Sequence, residues 1–86
     1  MTASIVSNQL LDDVIVEALP ELPEDAIGVV RAILRPSVNA VLEAVQQSLA
    51  SFDAAVDRET QRLNRWSTPA TTAFQRFVYN IEVAID

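Results

Sequence analysis

Apolar side chains recur along this chain at intervals of three and four residues, interrupted mainly where prolines stand, and that spacing predicts α-helix from near one end to the other. Leu10, Leu11, Val14, Ile15, Ala18 and Leu19 form one stripe, so a first helix is expected over residues 4–19, started by Ser4 or Ser7 and ended by Pro20. Pro23 followed by Glu24 and Asp25 marks the start of a second, expected over 23–35, with Ile27, Val30, Ile33 and Leu34 on one side. Pro36 follows it, as a sharp corner or as a kink in one longer helix. Thr68 and Pro69 open a last helix over 69–85, whose Phe74, Phe77, Val78, Ile81, Ala84 and Ile85 share a stripe.

The most regular pattern lies between these. Val38, Leu42, Val45, Leu49, Phe52, Val56, Glu59, Leu63 and Trp66 alternate spacings of four and three, a heptad seam that predicts one long helix over 37–66, roughly 43 Å at about 1.5 Å per residue. Helices of the lengths expected for the first and last would each cover little more than half of it. The short β-branched runs at Val14–Val16 and Val29–Leu34 do not alternate with period two, and a single glycine leaves few tight hairpin turns. The expected fold is therefore all-α, a small bundle of about four helices with one long heptad-bearing member, in a single domain spanning residues 1–86.

Composition narrows the chemistry. The 86 residues include no cysteine, histidine or lysine, which removes thiolate nucleophiles, sulfur-based zinc sites and the commonest general base. No enzymatic activity, cofactor or metal is expected. Carboxylates such as Asp13 and Glu17, one turn apart, would have to hold a hard cation without a ligand-dense loop. The first nine residues lack the basic start and apolar core of a secretory signal, and no apolar run approaches the length needed to span a bilayer, so an intracellular protein or part of a larger assembly is expected.

The net charge of −6 is unevenly distributed, since six acids precede the first base, Arg31, and the remaining six acids are matched by six arginines. Such a balance argues against nucleic acid and against anionic membranes as partners. Arg58, Arg62 and Arg65 beside Trp66 are a candidate phosphate or base site, but cations in the last turns of a helix also complement its negative end. Trp66 is expected to pack as an anchor at a helix corner. Glu59, the one charged seam position, is expected either to mark where the seam becomes exposed or to pair with Arg62 one turn on.

Protein association remains. A seam longer than its neighbours can cover predicts a homo-oligomer, a dimer or higher, with Leu42, Val45, Leu49, Phe52, Val56, Leu63 and Trp66 as the self-association face of an assembly component. The alternative is an acidic inhibitor or antitoxin-like protein, docking on a basic, nucleic-acid-binding protein partner through Asp12, Asp13 and Glu17.

Overall fold

A computed structural model describes residues 6–85, with side chains through Ala84. Ser4 as a first-helix cap and the side chain of Ile85 lie outside the described residues. Four helices and no strand occur among them: α1 (Asn8–Ala18), α2 (Glu24–Val45), α3 (Leu49–Trp66) and α4 (Thr68–Ile85). The all-α, four-helix reading holds. The placement of its longest helix does not.

Of the two readings left open at Pro36, a corner or one longer helix, the second holds, and the long helix expected over 37–66 is divided at residues 46–48. Proline deprives the Ala32 carbonyl of its helical donor, a defect that costs about 3 kcal/mol in a helix interior. Here both Ala32 and Pro36 face solvent, so water can satisfy that carbonyl. The helix continues because Val30, Leu34, Val38 and Val41 lie on one row and all are buried. The expected starts of α2 and α4 are each displaced by a residue: Pro23 occupies the N-cap of α2, and α4 begins at Thr68.

What ends α2 is a polar interval of the seam. Gln46 and Gln47 turn away, with the Ser48 backbone N–H donating to the Ala44 carbonyl, and the extended Ser48 then caps α3 by accepting from the Ser51 N–H at 3.0 Å. The heptad spacing survives this reversal, because each half of the seam still presents its own apolar row to the bundle. Replacing Ser48 with alanine should lower stability by about 1 kcal/mol, measured by urea denaturation, because an orphan helix-start donor loses its acceptor.

At the other corner a single residue serves two helices. The Ser67 backbone N–H donates to the Leu63 carbonyl, closing α3, while its Oγ accepts from the Ala70 N–H, opening α4. Ser67, rather than the expected Thr68, is thus the cap.

Helices α2 and α4 touch across the centre of the bundle, and α1 and α3 lie on opposite sides without meeting. The core closes inside one chain: Leu11 and Ile15 from α1, Leu34, Val38 and Val41 from α2, Phe52 and Leu63 from α3, and Phe74 from α4 are all fully or almost fully buried. The molecule measures 36 × 26 × 26 Å, shorter than a single unbroken 37–66 helix. None of the described helices is long and apolar enough to cross a membrane.

Candidate functional site

The residues expected to form one self-association face part company. Phe52 and Leu63 belong to the core, Leu42, Val45 and Val56 are half-buried against it, and only Leu49 and Trp66 stand out, at 60% and 79% exposure. An edge whose central ring is sealed by its own chain cannot be offered whole to another. That face is lost with the long helix, since α2 and α4 cover Phe52, Ala55 and Leu63 of α3's apolar row.

Glu59 is the second departure. It is neither at an exposed margin nor in a surface pair alone, but buried at 6% exposure between α2 and α3. Its Oε1 accepts from the fully buried Ser37 hydroxyl at 2.9 Å and from Arg62 Nη2 at 2.7 Å, and its Oε2 accepts from Arg58 Nε at 3.1 Å. Arg62 Nη2 also donates to Ser37 Oγ at 3.0 Å, closing a triangle of bonds. Burial alone would raise the Glu59 pKa, but the Ser37 and Arg58 hydrogen bonds and the Arg62 charge outweigh it and hold the carboxyl below the ordinary glutamate range. The expected Arg62 pairing is present; Ser37, placed by the uninterrupted α2, is the member the sequence did not reveal.

The acidic residues of the first helix are also largely engaged. Arg31 Nη1 reaches both Asp12 oxygens at 2.8 Å, Arg76 Nε donates to Glu17 at 2.7 Å, and Asp13 accepts from Gln9 one turn earlier. Arg35 adds bonds to the Val6 carbonyl and to Asn8. Thus α1 is held to α2 and α4 by polar staples around the buried Leu11, Val14 and Ile15. Asp13 and Glu17 do not converge with a third acid, and no group of three acidic side chains able to hold a cation occurs among the described residues.

Trp66 is exposed rather than a packed corner anchor, because α3 ends beside it and the chain turns at Ser67 without covering the indole. It continues a helical row of α3, Ser51, Ala55, Arg58, Arg62 and Trp66, in which Ala55 is buried and the two arginines and Trp66 are exposed. At the other end of that row lies a cleft of 290 Å³ lined by Ala40, Glu43, Ala44 and Gln47 from α2 and by Ser51, Ala54, Ala55 and Arg58 from α3. Val29, at 62% exposure, projects from α2 seven residues before Pro36. The row joins a shallow depression between small residues at one end to an uncovered aromatic at the other. The assembly of these small residues into a cleft depends on the turn at residues 46–48, which sets α3 against α2.

No family model, curated protein or solved structure matches this chain.

Proposed function

We propose that this chain is a non-enzymatic association domain, a structural or adaptor component that binds protein through the outer side of α2 and α3. The observation that carries the reading is Trp66, an amphipathic side chain of large area left 79% exposed on a helix whose other aromatic, Phe52, is sealed in the core. Exposed aromatics of this size are enriched as anchors at protein interfaces. The reading keeps self-association and moves its seat from the buried seam to the outer side of the helices. Absence of histidine and cysteine supports a role without catalysis.

Docking on a basic partner through Asp12, Asp13 and Glu17 draws less support, since Asp12 and Glu17 are already matched by the chain's own guanidinium groups. Light scattering from low micromolar to low millimolar protein tests the reading. The mass should rise above 9.4 kDa with concentration. A constant monomer mass over that range would reject self-association.

A further inference from the structure

Resting on that association reading, we infer that the partner is a second copy of this chain, docked antiparallel across the outer side of α2 and α3 so that each Trp66 enters the other copy's small-residue cleft. The bond between Ser37 and Glu59 fixes the heights of the two helices relative to each other. Trp66 lies seven residues beyond Glu59 on α3, and Ala44, in the cleft, lies seven residues beyond Ser37 on α2, in the opposite direction. Each is about 10 Å from the Ser37–Glu59 level at about 1.5 Å per residue. A two-fold axis across the helices at that level therefore carries one copy's Trp66 to the height of the other's cleft.

The charges of α3 agree with the same axis. Its acids other than the buried Glu59 are Asp53 and Asp57, both in the first half, and its bases are Arg58, Arg62 and Arg65, all in the second. Antiparallel pairing about Glu59 sets the basic half of α3 alongside the acidic half of the second copy's, a long-range attraction rather than a set of direct ion pairs, because Asp53 and Asp57 point away from the row that carries Trp66. A parallel arrangement would set like charges side by side. Arrangements of this kind, where one patch meets itself, are the usual form of a closed dimer.

Size sets the strength. A face as long as α3, about 27 Å, and two helices wide, at about 10 Å each, amounts to roughly 500 Å² per copy. The total of about 1,000 Å² sits at the lower limit for a specific interface, so the dimer is weak and concentration-dependent. The cleft's alanines and serine leave space for an indole, and Ser51, Glu43 and Gln47 offer acceptors for its N–H.

The experiment combines mass with fluorescence on the full chain, whose single tryptophan reports on this contact alone. As the mass of the wild-type protein rises towards a dimer, Trp66 emission should shift to shorter wavelength. Trp66→Ala and Ala54→Arg, both at exposed positions, should keep their helical circular dichroism and raise the dimer Kd about tenfold or more. Arg65→Asp should weaken the dimer, because it reverses a charge in the basic half of α3 that lies alongside the acidic half of the second copy's. A dimer whose Trp66 emission does not move, or that Trp66→Ala leaves intact, overturns this geometry while association stands. A chain that remains monomeric at millimolar concentration overturns both.

Discussion

Phe52→Asp is expected to unfold the chain, with loss of the helical circular dichroism at every protein concentration, whereas Leu49→Asp, three residues earlier in the same helix, is expected to leave the fold intact. The Phe52 ring is 2% exposed and Leu49 is 60% exposed. Removing a buried phenylalanine costs about 3–5 kcal/mol, and an unpaired carboxylate in its place adds several more. A domain of this length has roughly 4–13 kcal/mol to lose. The contrast separates a core position from a surface one. If the seam were an intermolecular face, the two variants would instead behave alike.

Glu59→Ala is expected to lower stability by about 3 kcal/mol, because it deletes a buried, charge-assisted set of hydrogen bonds and leaves Ser37 with fewer partners. Glu59→Leu should cost less than Glu59→Ala, since it fills the space and the half-exposed Arg58 and Arg62 can turn to water, leaving the buried Ser37 hydroxyl's lost acceptor as the main cost. The network then serves to fix how α2 meets α3 more than to hold the chain folded. Urea denaturation of the three proteins provides the comparison, and equal losses for Ala and Leu would contradict it.

The same carboxylate makes a pH prediction. Its folded pKa lies below the unfolded value of about 4.3, so its contribution is complete above that pH and is lost as pH falls through the folded value. The Tm difference between the wild type and Glu59→Gln should be constant near neutrality and should close below about pH 4.3. A difference that widened on acidification would reverse the sign and contradict the network.

Periodicity alone located the helical residues of this chain, because spacing of three and four directly encodes which side chains share a face. It could not locate the turn at residues 46–48. Gln46, Gln47 and Ser48 carry neither proline nor glycine, and a heptad row reads the same through a helix as across a reversal into an antiparallel partner. Pro36 left a corner and a continuing helix both open, since its local cost is fixed by chemistry while the packing of Leu34, Val38 and Val41 that overcomes it is tertiary. Ser48 was the available stop signal, a capping residue after two glutamines, and it is weak beside a proline.

The site divides similarly. The pairing of Glu59 with Arg62 follows from a one-turn spacing and was legible. Ser37 could join them only once α2 ran through Pro36 and folded back, so its role was hidden with the turn. The exposure of Trp66 was equally concealed, because a residue at the last position of a heptad row is covered or bare according to where the helix ends. The arginines that engage Asp12 and Glu17 lie 19 and 59 residues away, beyond any local pattern.

In the proposed scheme one chain completes its own core, and association is a later, weaker event on its outer side. Thermal unfolding followed by circular dichroism, repeated from low to high micromolar concentration, tests it most directly. A folded 9.4 kDa monomer is expected at the dilute end, with a Tm that does not depend on concentration there. Loss of helix on dilution, with Tm rising steadily with concentration from the lowest sample, would show that folding and assembly are one event and would contradict it.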